Sequence, residues 1–478
     1  MLGNISYKKW MKYQPQIMSI LVEKISSKHF NEILSFEESH FLDLKSIDIK
    51  PAKLSRSISA FANASGGELY IGIDEVETEG IKKRIWRGFT DQEAANGHLQ
   101  LFDELFPLGQ YYNYTFLCCD DAIGFVLQVN INKTREIVKA SDNIPYLRRG
   151  AQSLPQNTEE KLARLKLDKG VDSFEIATVN ADIEVITNSD PIIKFMLCVI
   201  PSAEPEKWLK KQQLIMNGKP TVGGVLLFAE EPQALLPKRC GIKVYRYKTT
   251  DTEGRRENLA FDPITIEGCL YDQIIAAVNK TKEIVEEIPK LEGGKLKNIK
   301  YPDEVLHEII TNAVLHRDYS ILKDVQIRIF DNRVEVESPG RLPGHITINN
   351  ILNEQLARNG VIVRLINKFP EAPNKDVGEG LNTAFQAMTR LRLKVPIISE
   401  TENSVLVCIR HEPLASVESA IMEYLYSHET ITNKIARNIA NVSSESTIKA
   451  AFHRLRKQGL IELVPGTKTV TSAWRKVR

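Results

Sequence analysis

Cysteine is scarce. There are six in 478 residues, and only Cys118 and Cys119 lie close together. That leaves no disulfide framework and no paired Cys-x-x-Cys zinc spacing, and it fits reduced thiols in a cytoplasm. An excess of charge is also missing. Lys and Arg total 63 against 61 for Asp and Glu, a formal net charge of +2, so a nucleic-acid surface has to be local rather than global. No run approaches the roughly 18 apolar residues of a membrane span, and the first thirty residues lack the basic start and apolar core of a signal peptide. The expectation is a cytoplasmic protein that meets no membrane. Finally, no Gly-x-x-x-x-Gly-Lys-Ser/Thr loop occurs, which disfavours a P-loop helicase. The hydrophobic share of 42% and charged share of 26% are those of an ordinary globular protein, and the length suits three or four domains.

What is present centres on Val305 to Ser320. Val305, Leu306, Ile309, Ile310, Ala313 and Val314 recur at helical spacing and predict one buried face. Glu308, Asn312 and His316 then form a polar row at i, i+4 and i+8. Such rows are commonly solvated faces. A carboxylate one turn before an amide also suits a base facing water and an oxygen ligand facing Mg²⁺. Next come two alternating runs, Val325–Phe330 and Arg333–Ser338, turned by Asp331-Asn332, which predict a hairpin. It ends in Pro339-Gly340-Arg-Leu-Pro343-Gly344. Lys375-Asp-Val-Gly378-Glu-Gly380-Leu381 then leads into a helical run from Ala384 to Leu391. Glycines just ahead of a helix aim backbone N–H groups at phosphate. The order is that of one nucleotide pocket.

Residues 295–413 resemble the GHKL ATPase fold of gyrase, histidine kinases and MutL, in its divergent RecG-like form. That resemblance implies Glu308 as general base, Asn312 as Mg²⁺ ligand, and Gly378, Gly380 and Leu381 beside the phosphates of bound ATP. His316 on the polar row and Gly340 in the bent exit of the hairpin are the further candidate ATP contacts. The usual Asp-x-Gly-x-Gly box that reads adenine is replaced here by Ser338-Pro339-Gly340.

Residues 1–34 read as an amphipathic helical segment, with Trp10, Met11, Ile17, Ile20, Leu21 and Ile25 as its apolar positions. From Phe36 the chain predicts a strand through Phe41–Lys45, a helix over Ala52–Asn63, and a buried strand from Glu68 that ends in Asp74 and Glu75, a compact α/β unit. Acids at neighbouring strand ends repel unless a divalent metal lies between them, and such a metal activates water on a phosphodiester. The plainer reading makes them loop and turn acids, with Lys45 paired to one of them. The pattern Glu38-Ser-x-x-x-Asp43-x-Lys45, then Ser59-Ala-Phe-Ala-Asn63-x-x-Gly66-Gly67-x-x-x-x-Gly72-x-Asp74, and Arg148-Arg149-Gly150, resembles the Schlafen AlbA-like domain over residues 35–160. Some members of that family are metal-dependent endonucleases with three acids. The resemblance carries these to Glu38, Asp43 and Asp74 or Glu75, with Mg²⁺ or Mn²⁺ on Glu38, Asp43 and Asp74. Lys45, Lys50, Lys53, Arg148 and Arg149 are the phosphate-contact candidates.

Residues 161–294 form an α/β connector. Thr221–Phe228 reads as a buried strand, Gly241–Arg246 as another, Ile264–Ile284 as a helix, and Gly293-Gly294 as a hinge. Residues 414–478 predict three helices, Val417–Tyr426, Ile431–Ala440 and Ser446–Gln458, and a hairpin, the layout of a winged helix. Lys449, His453, Arg454, Arg456, Lys457, Lys468, Arg475, Lys476 and Arg478 make this end basic, with Lys449, Arg454 and Lys457 as DNA contacts. The whole is expected to be a multidomain α/β protein. Its partners are ATP, nucleic acid (tRNA, single-stranded DNA or duplex DNA) and a second copy of itself. Two functions fit. The one favoured is an ATP-regulated, metal-dependent, Schlafen-like endonuclease acting on tRNA or DNA, which the resemblance links to antiphage defence. The alternative is an ATP-binding winged-helix transcriptional regulator that cuts nothing.

Overall fold

Leu54, Ile58 and Phe61 share one stripe of the helix Pro51–Asn63, and all three are fully buried. Pro51 opens that helix because the first turn has no use for its missing N–H. The helix crosses between the parallel strands Leu42–Lys45 and Gly67–Ile71, the edge pair of a five-stranded sheet. Its order is Val22–Lys24, Tyr112–Cys119, Ala122–Ile131, Gly67–Ile71, Leu42–Lys45. One face packs on that helix through Leu69, Phe116, Leu127 and Val129. The other packs on the helix Ser27–Ser35 through Ile33, Tyr70, Trp86 and Val126. The expected strand running from Glu68 to Asp74 is interrupted. Gly72, at φ +121°, ends the first strand, and Ile73–Thr78 leaves the sheet to pair with Ile81–Trp86 as a separate hairpin.

These statements rest on a computed structural model. It describes residues 21–78, 81–105, 108–109, 111–236, 239–292, 295–298, 301–370, 372–373, 380–390, 393–410, 417–440, 444–465 and 472–477. Trp10, Met11, Ile17, Ile20, Gly293, Gly294, Gly378, Lys468 and Arg478 lie outside the described residues. The described part of the N-terminal segment is not one helix: the strand Val22–Lys24 pairs with Phe116–Cys118 before the helix Ser27–Ser35 begins.

The second sheet has six strands in the order Ile264–Ile266, Ile242–Arg246, Val325–Ile329, Arg333–Pro339, Ser404–Arg410, Ile397–Glu400. Ile242–Arg246 and Val325–Ile329 are parallel, and the other pairs are antiparallel. The parallel pair needs a crossover, which contains the helices Leu270–Glu286 and Asp303–Leu315. Val244, Ile327, Val334, Val336 and Ile409 turn inward onto those helices. Arg328, Glu335 and Glu337 form a salt-bridged row on the opposite face. This sheet therefore begins well before residue 295, because it takes two strands and a helix from the expected connector. Ile264–Ile266 is a strand and the helix starts only at Leu270, which shortens the helix expected over Ile264–Ile284.

Thr221–Phe228 is a helix, Val222–Phe228, and not the expected strand. The Thr221 hydroxyl accepts from Gly224 N–H at its start, and every residue of it is buried. The last region holds the helices Val417–Ser427, Asn433–Ile439 and Glu445–Lys457, with Ile431–Thr432, Ala473–Lys476 and Ile461–Leu463 as a small antiparallel sheet. The fold class throughout is mixed α/β.

Candidate functional site

Glu308 and Asn312 stand one turn apart on Asp303–Leu315, whose buried face is fixed by Val305, Leu306, Ile309 and Ile310. The Asn312 amide nitrogen donates to Glu308 Oε1 at 2.6 Å. That bond turns the amide oxygen away from Glu308, as an oxygen ligand for a divalent cation requires. Burial raises the Glu308 carboxyl above its usual range, and the Asn312 bond only partly opposes this. His316 caps the helix rather than extending it. Burial, with the Arg358 charge beside it, pushes its imidazole down to about 4, so it is neutral at ordinary pH.

All three line one cavity of about 370 Å³ together with Gly340, Gly380 and Leu381. At Gly380, which opens the helix Gly380–Arg390, an added Cβ would lie 3.5 Å from Glu308 Oε1, so the backbone runs close against the carboxylate. Away from this polar end the wall is apolar, with Val336, Leu342, Ile346, Val405 and Val407, the kind of lining that takes a flat ring. Ser338 also lines it, and its hydroxyl hydrogen goes to Ala313 O at 2.6 Å. The backbone beside it suits only glycine. Gly340 has φ +104°, and a Cβ there would meet the Asp318 Cβ at 2.6 Å. The residues present thus fit a nucleotide with its cation.

The N-terminal acids are arranged differently. Asp43 is fully buried. Lys45 Nζ contacts Asp43 Oδ1 at 2.5 Å and Glu38 Oε1 at 3.3 Å. Arg148 Nη1 lies 3.4 Å from Asp43 Oδ2, with both side chains almost wholly buried. Burial would raise the Asp43 carboxyl, but Lys45, Glu38 and Arg148 together hold it below the usual carboxylate range. Burial and the neighbouring Asp43 raise Glu38. Asp74 sits at the root of the separate hairpin, where Arg87 bridges it at 3.4 Å and also pairs with Asp48. Glu75 lies on the exposed side of that hairpin, in register with Arg84. Lys45 thus lies against Glu38 and Asp43, and Arg87 against Asp48 and Asp74, while Asp43 Oδ2 and Asp74 Oδ1 are buried without a hydrogen-bond partner. Among the described residues no three His, Cys, Asp or Glu side chains form a group able to hold a metal ion. The expected meeting of Glu38, Asp43 and Asp74 on one cation is not the arrangement found.

Arg148 is also unlike a phosphate contact. It donates to Ser39 O and Leu42 O, and its guanidinium stacks over Phe61 at 4.8 Å. Arg149 is exposed. Asn63, the last residue of the Ala-Phe-Ala-Asn motif, is buried and bonds to Val138 and to Tyr146 O, so that motif is a fold determinant. Of the C-terminal cations, Lys449 pairs with Glu445 and Arg454 with Glu418, while Lys457 is exposed.

No motif or spacing in the sequence reports the contacts joining these two parts. The segment from Gly340 to Arg358 walls the cavity and also meets the N-terminal domain. Lys133, 6% exposed, donates to Leu342 O at 2.6 Å and Ile346 O at 3.1 Å. Burial pushes its ammonium down to about 8. Arg341 donates to Ser65 Oγ at 2.7 Å, beside the Gly66-Gly67 turn, and to Glu400 at 3.3 Å. Buried Arg358 donates to Arg341 O and Leu167 O and faces Asp318. Asp318 is also bound by Arg164.

Comparison with known proteins agrees with this division. Residues 38–157 match the family model described as Schlafen, AlbA_2. Residues 323–409 match HATPase_c_4, described as Putative ATP-dependent DNA helicase recG C-terminal. The helix carrying Glu308 and Asn312 lies ahead of that second match. The chain thus contains a region similar to the Schlafen AlbA_2 domain and a region similar to the ATPase-type domain of the RecG C-terminal kind. Of solved structures, the DIP2311 protein from Corynebacterium diphtheriae is 17% identical over 92% of each chain, with a TM-score of 0.40. The N-terminal domain of a Putative ATP-dependent DNA Helicase RecG-related Protein from Nitrosomonas europaea is 16% identical over 28% of this chain and 90% of that one, with a TM-score of 0.22. No curated protein matches the chain. Among the described residues no helix is long and apolar enough to cross a membrane.

Proposed function

We propose that this protein is an ATP-responsive, nucleic-acid-binding regulator in which the nucleotide acts by shifting the AlbA-like domain rather than by driving a metal-dependent cut. One observation carries the reading: the segment Gly340–Arg358 is at once the wall of the nucleotide cavity and the seat of Lys133 and Ser65 from the AlbA-like domain. A ligand that changes the wall must change those contacts, because its differential affinity for two packings is what moves the equilibrium.

In the cavity the chain's own groups have separate tasks. Bound Mg²⁺ would offset phosphate charge. Asn312 would hold it through the amide oxygen, and the backbone at Gly380 leaves room for phosphate beside Glu308. Glu308, raised by burial, holds a proton-accepting oxygen where water would be activated. Ser338 offers only an acceptor, its hydrogen being committed to Ala313, and an acceptor suits an amino-bearing base. The regulator reading is favoured over the nuclease because Asp43 Oδ1 is held by Lys45, with Arg148 paired across 3.4 Å to Oδ2. The C-terminal domain, with its exposed Lys457, is the proposed duplex contact, in the winged-helix manner.

The test combines nucleotide titration with a cleavage assay. Calorimetry on the full chain should show ATP binding that needs Mg²⁺ and disappears in Asn312→Ala. End-labelled tRNA, single-stranded DNA and duplex DNA should stay intact with Mg²⁺ or Mn²⁺, with or without ATP. Metal-dependent cutting that is lost in Asp43→Ala would overturn the regulator reading in favour of the nuclease.

A further inference from the structure

Between the AlbA-like domain and the ATPase-type domain lies a cleft of about 1920 Å³. It is several times the size of the nucleotide cavity and shares Gly340, Arg341 and Glu354 with it. A mononucleotide does not fill such a space, whereas a length of polymer does.

Its charges decide which polymer. Most are already paired: Asp168 with Arg164, Glu400 with Arg341, Glu354 with His345, and Lys323 with Glu337. Lys133 is spent on backbone carbonyls. Among the described lining residues this leaves Arg149 and Lys161 without an ion pair, set against Glu68, Glu160 and Glu402. Duplex DNA is held by rows of phosphate contacts, and a near-neutral cleft does not supply them.

The uncharged lining suits a different ligand. Phe41 is 58% exposed, an unusual state for a ring at the mouth of a cleft, and it is braced edge-on by His40 at 4.8 Å. Tyr111 and the amides of Asn130, Asn349 and Asn403 share the walls. Aromatic faces that stack on bases, with amides to meet the base edges, recognise unpaired strands. The platform is also wired to the cavity, since His40 Nε2 is 3.2 Å from Ser65 Oγ, which accepts from Arg341 at 2.7 Å.

We propose that this interdomain cleft seats single-stranded nucleic acid, with Phe41 as a stacking platform and side-chain amides on the base edges. The proposal rests on the nucleic-acid reading above and adds the form of the polymer and its place.

The experiment is fluorescence anisotropy with the full chain and mixed-sequence labelled oligonucleotides, single-stranded DNA, single-stranded RNA and duplex DNA, over a salt series. Phe41→Ala should weaken single-strand binding by about 5- to 150-fold, the loss of one stacked base. Duplex binding and the thermal melt should not change. The single-strand salt slope should be no steeper than about −1.4, two phosphates at about 0.7 each, and Arg149→Ala should make it shallower. Single-strand binding that is unchanged in Phe41→Ala, or that has a steep slope and is lost in Lys457→Ala, overturns the proposal. If duplex binds and single strands do not, the cleft proposal fails and the regulator reading stands. If no polymer binds, both fail.

Discussion

At Asp43, charge and burial oppose each other, and the outcome separates a structural carboxylate from a metal ligand. Asp43→Ala leaves Arg148 buried without its partner, and breaking a buried pair in this way costs about 3–5 kcal/mol. Urea unfolding should show a loss of that size. An acid crowded among others to await a metal would behave in the opposite sense, since its removal relieves repulsion and stabilises the metal-free protein. At the cavity, Glu308→Gln keeps the size of the side chain and removes the base. ATP should still bind by calorimetry, while any turnover falls by about 10²-fold or more. His316 gives a pH signature. Its folded value is near 4 against about 6.5 when unfolded, so between those values the unfolded chain holds a proton that the folded chain lacks. Stability should therefore fall as pH drops from about 6.5 to 4. Melts across that window should be flatter in His316→Gln.

The elements show what the sequence could and could not carry. Glu308 and Asn312 were legible because both lie on one helix, where i, i+4 spacing fixes their neighbourhood whatever surrounds them. Thr221–Phe228 was not, because a short, wholly apolar run has no period to separate a strand from a buried helix. What decides it is Thr221 capping Gly224 N–H. Asp74 stands off the sheet for a related reason: a bend at Gly72 takes the next strand out of the sheet, and a single glycine does not announce where the chain goes next. The Gly66-Gly67 turn was legible as a turn, and its necessity is steric. Gly66 has φ +78°, and a Cβ there would lie 2.6 Å from Ile131 O. Gly66→Ala should lower stability by about 1–3 kcal/mol, read as a lowered urea midpoint. It should also loosen Ser65, whose hydroxyl receives Arg341.

Across the whole molecule part of the link between domains is made by side chains reaching backbone carbonyls far away in sequence. Lys133 finds Leu342 O and Ile346 O, and Arg358 finds Leu167 O. No spacing rule reports such pairs, since the acceptor is the same group at every position. They nonetheless help tie the nucleotide cavity to the AlbA-like domain. Lys133→Met keeps the stem and removes the donor, so ATP should bind as before by calorimetry. Hydrogen exchange over residues 61–67 and 130–134 should respond to ATP in the wild type and not in this variant.

The central claim is that cavity and polymer site are coupled, and it is tested most directly by the affinity of the full chain for labelled nucleic acid, with and without a saturating non-hydrolysable ATP analogue at fixed Mg²⁺. The account predicts a shift of about fivefold or more, matched by an equal shift in analogue affinity when polymer is present, because linkage between two sites is reciprocal. Superimposable binding curves, with calorimetry showing the analogue bound, would contradict it.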